Sequence, residues 1–199
     1  MYIKKMKNRP ANIAVAAYQL YPSWETTEMY KDVEDMPGVC PVCHNTVELI
    51  PNLEYKSRKK IKDDFIVTHD GFYLVSQKFK DFCDKYHYEG LTFQELPLKE
   101  GYYFFLPNDV FPLDAIKSNL HFDGYRDCCG SYDYTQFQGF RYCPKDYQVP
   151  SERFIKHTPF LFGDKYRKDF ALIASLDTPI LMEAYGLKGC CFDEIYQEK

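Results

Sequence analysis

The sequence lacks any apolar run long enough to cross a bilayer. Its most apolar early stretch, between Pro10 and Pro22, is interrupted by Asn12, Tyr18 and Gln19. A transmembrane helix needs about 20 predominantly apolar residues, and a signal peptide needs an unbroken apolar centre. The stretch therefore predicts no membrane span and makes a poor signal peptide. The eight cysteines, which include two adjacent pairs, are not arranged like a small secreted disulfide framework, so we expect a cytoplasmic protein with reduced thiols.

The sequence also lacks a sustained basic stretch. The formal net charge is −4, and the longest basic run, KSRKK at 56–60, is soon followed by Asp63 and Asp64. A nucleic-acid-binding protein neutralises phosphates with a sustained basic face. We therefore expect neither nucleic acid nor a membrane surface as the partner.

No catalytic constellation stands out in the sequence. Cys83 and His87 have the i, i+4 spacing of a thiolate–imidazole pair, but Cys83 falls within an apolar helical stripe, where a small thiol simply packs. The carboxylates are scattered, and the segment GSYDYTQFQG lacks the glycine spacing and the lysine of a phosphate loop. We therefore expect no enzymatic activity.

Cysteine spacing is the most informative feature. GVCPVCHNT, at 38–46, places Cys40 and Cys43 two residues apart in a tight turn, which is half of a four-thiolate zinc site. Downstream, Cys129 is followed by Gly130, and a glycine after a metal-bound cysteine lets backbone N–H groups turn toward the sulfur. Cys129 is therefore the predicted third ligand.

The fourth ligand is either Cys128, adjacent to Cys129, or Cys143 in a YCPK turn, with His44 and His121 as weaker options. Adjacent cysteines rarely reach one ion without strain, so we favour Cys143. Four thiolates leave no open position for water, which predicts a structural role for the ion. The predicted ligand set for one Zn²⁺ is Cys40, Cys43, Cys129 and Cys143.

Hydrophobic periodicity predicts an α+β fold. DDFIVT and FYLVS flank an Asp70-Gly71 turn and predict a hairpin. Ser76 then caps a helix whose apolar face carries Phe79, Phe82 and Tyr86. A second helix begins near Thr178, with Pro179 in its first turn, and we expect three of its side chains to be buried. These are Ile180, Leu181 and Tyr185.

Two segments, which begin at Phe72 and Ala171, share the order apolar strand, serine, helix, glycine, strand. Shifting the first by 99 positions superposes Ser76 on Ser175 and Gly90 on Gly189. We therefore predict two related strand–helix–strand units packed with a mixed sheet. The expected organisation is a single α+β domain over residues 1–199, with a zinc-ribbon-like knuckle contributed by residues 38–46 and 126–144.

The knuckle, the strand–Ser–helix unit, the downstream Cys-Gly pair and the closing GLKGCCFDEI segment resemble the double CxxCG-motif immunity proteins of bacterial polymorphic toxin systems. The resemblance spans roughly residues 38–196. It departs at RDCCG, where Arg126 takes the first cysteine position and Cys128 directly precedes Cys129. The resemblance implies a protein that binds a cognate toxin and blocks it.

Aromatic side chains in the polar segment after the Cys-Gly pair are the predicted toxin contacts. Tyr132, Tyr134 and Phe137 are chosen because exposed aromatics in a polar loop usually serve binding. The alternative is that they cover the zinc site as its apolar shell. A second function class also stays open: a zinc-ribbon module that binds nucleic acid or a larger protein assembly through KSRKK and Tyr55. The net negative charge favours the first class.

Overall fold

Strands dominate the computed structural model, which describes residues 3–4, 6–7, 9–24, 27–57, 60–98 and 101–199. Among these residues there are only two α-helices, and neither is long and apolar enough to cross a membrane. A short 3₁₀ turn occupies Val33–Asp35. The strands and α-helices, in chain order, are β1 (Ile3–Lys4), β2 (Ile13–Tyr21), β3 (Ser23–Trp24), β4 (Phe65–Val67), β5 (Tyr73–Ser76), α1 (Gln77–Lys85), β6 (Leu91–Glu95), β7 (Tyr102–Pro107), β8 (Leu120–Arg126), β9 (Ser131–Phe137), β10 (Arg141–Tyr142), β11 (Ile155–Asp164), β12 (Arg167–Ala174), α2 (Thr178–Tyr185) and β13 (Cys191–Glu198).

The strands of the described residues form two mixed sheets. The larger has the order β1-β13-β2-β12-β11-β9-β8, with β10 also paired to β13. The smaller has the order β3-β4-β5-β7-β6. Parallel pairs occur at β1–β13, β10–β13 and β3–β4, and the other pairs are antiparallel. The α+β class is confirmed, but its strands lie in two sheets.

Each predicted strand–helix–strand unit contributes to a different sheet. β5, α1 and β6 belong to the smaller sheet, where β7 lies between β5 and β6. β12, α2 and β13 belong to the larger sheet, where β2 lies between β12 and β13. In both cases an antiparallel strand separates two parallel strands joined by a helix, which is a split βαβ arrangement. A common origin of the two units stays a prediction.

Helix α1 forms where the sequence predicts it. The hydroxyl of Ser76 accepts a hydrogen bond from the backbone N–H of Phe79 at 3.2 Å, satisfying one of the free donors at the helix start. Phe79 and Phe82 are fully buried in a core to which both sheets contribute. Tyr86 is partly buried and packs on Phe82, with ring centroids 5.0 Å apart. Burying each such phenylalanine contributes about 2 to 3 kcal/mol.

Helix α2 buries only part of the predicted set: Leu181 and Tyr185 are partly buried and pack on the core, but Ile180 does not. Ile180 is 69% exposed, whereas Met182 and Thr178 are buried. The Thr178 hydroxyl lies 2.8 Å from that of Tyr88, and this contact turns the Thr178–Met182 face toward α1. Because residues four apart share one helix face, Ile180 points to solvent. The predicted burial of Ile180 is therefore wrong.

Candidate metal centre

Four cysteine side chains converge at one place in the structure. The Sγ atoms of Cys40, Cys43, Cys128 and Cys129 all lie within 4.8 Å of one another. The Cys40–Cys128 and Cys43–Cys129 sulfurs are 3.8 Å and 3.5 Å apart, and no disulfide joins them. The cluster joins the residue 38–46 segment to the turn between β8 and β9.

The first pair of sulfurs is positioned by a tight turn. The backbone N–H of His44 donates to the carbonyl of Cys40 at 2.9 Å, and the N–H of Cys40 donates to the carbonyl of Asn45 at 2.9 Å. The backbone N–H groups of Cys43 and Val42 hydrogen-bond to the Cys40 sulfur and lower its pKa to about 7. Donors aimed at a sulfur stabilise its thiolate, which is the form that binds a metal.

The second pair of sulfurs comes from the β8–β9 hairpin. The carbonyl of Arg126 accepts from the N–H groups of Cys129 and Gly130, at 3.2 and 2.8 Å. Gly130 has φ of +68°, a conformation that glycine adopts without strain. The N–H of Ser131 also hydrogen-bonds to the Cys129 thiol, as expected for a cysteine followed by glycine. This turn brings the thiols of both Cys128 and Cys129 to the same cluster.

The structure corrects the predicted fourth ligand. Cys143 is buried elsewhere, with its Sγ 3.6 Å from the carbonyl of Tyr196 and its side chain in a core cluster with Phe111 and Ile195. Burial raises the pKa of its thiol to about 11. The objection to adjacent cysteines fails here because the left-handed Gly130 closes a turn compact enough for two successive side chains to meet the same partners. Cys128 therefore takes the place predicted for Cys143.

The neighbouring thiols oppose one another's ionisation. Hydrogen bonding to Cys43 and burial raise the pKa of Cys128 to about 12. Burial also raises the pKa of Cys129, with a further contribution from Cys43. Four thiolates crowded together repel strongly unless a cation lies among them. A bound metal ion would remove this repulsion, and its binding would release protons from the cluster.

A buried lysine lies against the cluster. Lys168 is only 1% exposed, and its ammonium donates to the carbonyl of Tyr132, to Oδ1 of Asn45 at 3.3 Å and to the hydroxyl of Ser131 at 3.3 Å. Burial lowers the pKa of Lys168, and the nearby Asp133 carboxylate opposes that effect, as do the cysteine sulfurs. A four-thiolate site with a divalent ion carries a net charge of −2, which this ammonium partly balances.

A second network ties the two turns together. Arg126 donates from Nε to the Asp133 carboxylate oxygens at 2.9 and 3.0 Å, and a terminal nitrogen also contacts this carboxylate. The amide of Asn45 donates to Asp133 at 3.0 Å. Hydrogen bonding to Arg126 lowers the pKa of Asp133 to about 2. Arg126, which lies two residues before Cys128, thus braces the hairpin that carries Cys128 and Cys129.

The dimensions of the cluster fit a tetrahedral ion. Zinc–sulfur bonds of about 2.3 Å place the ligand sulfurs about 3.8 Å apart. The observed separations of 3.5 and 3.8 Å lie close to this value, and no pair of the four sulfurs is more than 4.8 Å apart. The four cysteines can therefore hold a metal ion without large backbone movement. Lys168, Asn45 and Asp133, which surround them, carry no sequence signal, since they lie far apart along the chain.

The predicted aromatic anchors all lie on β9. Tyr132 packs against Phe122, with ring centroids 4.9 Å apart. Tyr134 is partly buried and its hydroxyl donates to Gln136. Phe137 stacks on a ring of β11, so its face is already covered. The use of these residues in binding stays a prediction.

Other sequence candidates lie apart from the cluster. His121 is an exposed residue of β8, and Cys83 is buried in the core beside α2. Residues 58 and 59 of the KSRKK run lie outside the described residues. Tyr55, predicted as a contact of the ribbon module, is instead buried, and its hydroxyl donates to Thr27 at 3.0 Å. It cannot serve as an exposed contact in this conformation.

Comparison of the chain with protein-family models, curated proteins and solved structures finds no match.

Proposed function

We propose that the four-cysteine cluster holds one structural Zn²⁺. The observation that carries this proposal is the convergence of four thiols within 4.8 Å. Thiolates favour Zn²⁺ and iron–sulfur centres over hard cations such as Mg²⁺ and Ca²⁺. A set of four protein ligands leaves no position at which the ion could activate water. The ion therefore serves as a cross-link between the knuckle and the β8–β9 turn.

Metal analysis tests this proposal directly. Protein purified without chelator is expected to contain about one equivalent of zinc. A reagent that modifies cysteine thiols should release that zinc as it reacts with the cluster. Finding iron instead of zinc would contradict the assignment of the ion but not the four-cysteine site. Absence of any metal, together with free reactivity of Cys40 and Cys43 in the folded state, would contradict the site itself.

We further propose that the protein is an immunity protein that binds a cognate bacterial toxin and blocks it by steric occlusion. The resemblance to double CxxCG-motif proteins supports this role. A second support is the position of β8, which is the terminal strand of the larger sheet and, with β9, carries a cluster of aromatic side chains. Tyr125 in this hairpin is 56% exposed. Partly exposed aromatics at a sheet edge suit a protein interface.

Net charge gives this proposal a further physical basis. The chain carries −4, and the exposed Asp123 lies on β8 between the aromatic positions. Acidic groups around aromatic anchors favour a partner with a basic surface and accelerate its association. Occlusion needs no catalytic group on the inhibitor.

Co-expression with a toxin gene identified next to the gene for this protein tests the role, and the absence of such a gene would count against it. Cells are expected to survive toxin expression with the intact protein and to die when Tyr125→Ala and Tyr134→Ala are combined. Ile116→Ala is the matched control, since Ile116 is also an exposed large side chain but precedes the hairpin. Melting temperature and zinc content should be unchanged in both variants. Failure of the folded, metal-loaded wild type to rescue would refute the immunity role and leave the zinc proposal intact.

A further inference from the structure

A cleft lies on the side of β12 opposite the metal centre. Lys168 and Asp169 are successive residues of β12, and successive side chains of a strand point to opposite faces. Lys168 faces the cysteines, whereas Asp169 lines a cavity of about 320 Å³ between the two sheets. This volume lies at the lower end of the range for small-molecule sites.

The carboxylate of Asp169 has no cationic partner within the part of the chain that the structure describes. Among the described residues, no lysine, arginine or histidine nitrogen forms an ion pair with it. Its contact is with the hydroxyl of Tyr73. Burial raises the pKa of Asp169 to about 7, as expected for a carboxyl group without a compensating charge.

The two arginines that line the cleft are engaged elsewhere. Arg141 forms an ion pair with Asp193 at 3.0 Å and donates to the hydroxyl of Tyr21. Arg167 is exposed and lies 3.8 Å from the carboxylate of Glu28. Neither guanidinium neutralises Asp169.

The other walls of the cleft suit a cation. Oε1 of Gln19 is buried without a hydrogen-bond donor among the described residues, and Gln19 is only 5% exposed. The rings of Tyr21 and Phe137 line the same cavity as apolar walls, since the Arg141 guanidinium already lies over each, at 5.5 and 4.7 Å from the ring centroids. Among the described residues the amide oxygen of Gln19 has no donor and Asp169 has only the Tyr73 hydroxyl, so the pair calls for a ligand rich in N–H groups.

We infer that this cleft binds a small organic cation, an alkylammonium or guanidinium group, with Asp169 and Oε1 of Gln19 as its acceptors. The site is separate from the metal centre, but Tyr134 and Phe137, which line it, are also predicted toxin contacts. The probes below involve no toxin, so the two proposals can fail separately. The cation is either a free amine or the side chain of a lysine or arginine on a partner, because both present the same donors.

Titration with paired probes tests the inference. n-Butylammonium and n-butylguanidinium are expected to broaden in ligand-observed NMR on adding the protein, while uncharged n-butyramide of similar size should bind at least about tenfold more weakly. Asp169→Asn should weaken cation binding by about tenfold or more, whereas Asp146→Asn, which removes an exposed carboxylate outside the cleft, should leave it unchanged.

The pH dependence provides a second readout that a misfolded variant does not mimic. Affinity is expected to rise about tenfold between pH 6 and pH 8, because Asp169 must lose its proton to bind a cation. The other titratable groups facing it, Tyr73 and Tyr21, have pKa values raised well above this range by burial, and the guanidinium groups of Arg141 and Arg167 stay charged.

Blocked peptides separate the two sources of the cation. Tighter binding of an N-acetylated, amidated arginine peptide than of n-butylguanidinium would assign the site to a partner's side chain, and the reverse would assign it to a free amine. Equal binding of n-butyramide and the cations, or undiminished cation binding by folded Asp169→Asn, would overturn the inference.

Discussion

Removal of the metal ion should destabilise the protein by an amount that the chain connectivity sets. Cys43 and Cys129 are 86 residues apart in the sequence. An unfolded chain that binds one ion with all four thiolates must close this loop, whereas the folded chain holds the four sulfurs together already. The loop-closure entropy is about 4.6 kcal/mol at 25 °C. The folded chain therefore binds zinc more tightly than the unfolded chain by this free energy. At saturating zinc, the folded state is stabilised by the same amount.

The assay is thermal unfolding of zinc-loaded and chelator-treated protein. For a chain of this length, about 4.6 kcal/mol corresponds to a decrease in melting temperature of about 9 to 18 °C. Hydrogen exchange should locate the effect, with the largest loss of protection in residues 120–137 and 38–46. Zinc added back should restore both signals.

Two serine variants sharpen the test. Cys128→Ser should lose the zinc-dependent shift in melting temperature, because it removes one of the four clustered thiols. Cys143→Ser should destabilise the protein by burying a hydroxyl, but it should retain the full shift on adding zinc. Wild-type protein that melts at the same temperature with and without chelator would refute the cross-link. A shift lost in Cys143→Ser and kept in Cys128→Ser would refute the ligand set.

Three further outcomes are expected. Phe82→Ala should lower the free energy of unfolding by about 3 to 5 kcal/mol in urea titrations, whereas Ile180→Ala should change it by less than about 0.5 kcal/mol, and equal costs would contradict the assigned faces of the helices. Lys168→Met should weaken zinc binding by about 10- to 100-fold in a competition assay with a chelating dye, while Lys145→Met on the exposed surface should not. The raised pKa of Asp169, about 7, means that the folded state binds more protons than the unfolded state between about pH 4 and 7, so this group lowers stability as pH rises through that window. The free energy of unfolding of Asp169→Asn minus that of wild type should therefore be larger at pH 8 than at pH 5. If it is the same at both pH values, the carboxyl group is not buried in solution.

Local signals were enough to predict the elements whose determinants lie within a few residues. The β4–β5 hairpin is present, and α1 begins after the Ser76 cap. The turn differs in one respect: the Asp70 carboxylate accepts from the backbone N–H groups of Met29 and Tyr30 at 2.9 Å, so this residue anchors a distant segment. Gly71 supplies the positive φ, at +93°.

Elements stabilised by distant pairing were missed. β2 pairs with β12 and β13, which lie more than 140 residues further along the chain, and no local pattern in residues 13–21 indicates those partners. β11 contains Pro159, which normally argues against a paired strand, and its register to β12 shifts between His157 and Leu161. The bulge at that shift accommodates the proline, and such a bulge cannot be inferred from composition.

The cysteine cluster, too, was predictable from the sequence only in its local part. The Cys40–Cys43 spacing identifies two members of the cysteine cluster from sequence, since the geometry of a CxxC turn is local. Whether Cys128 or Cys143 completes the set depends on the conformation of the β8–β9 turn and on where the strand after it runs. Cys143 follows β10, which pairs with β13 and carries that thiol into the core beside Tyr196.

The position of the cluster explains why a hairpin proposed to bind a toxin would need a metal ion. β9 joins the larger sheet through only two register pairs with β11, at Thr135 and Tyr134, and β8 is attached solely through β9 among the described strands. A two-stranded hairpin with so short a pairing to its sheet is marginally stable in water. The thiols of Cys128 and Cys129 lie at its turn, where the knuckle offers a second attachment. An ion shared by the two turns would therefore fix the turn of the hairpin in addition to its pairing with β11, so that its aromatic side chains would meet a partner with little loss of conformational entropy.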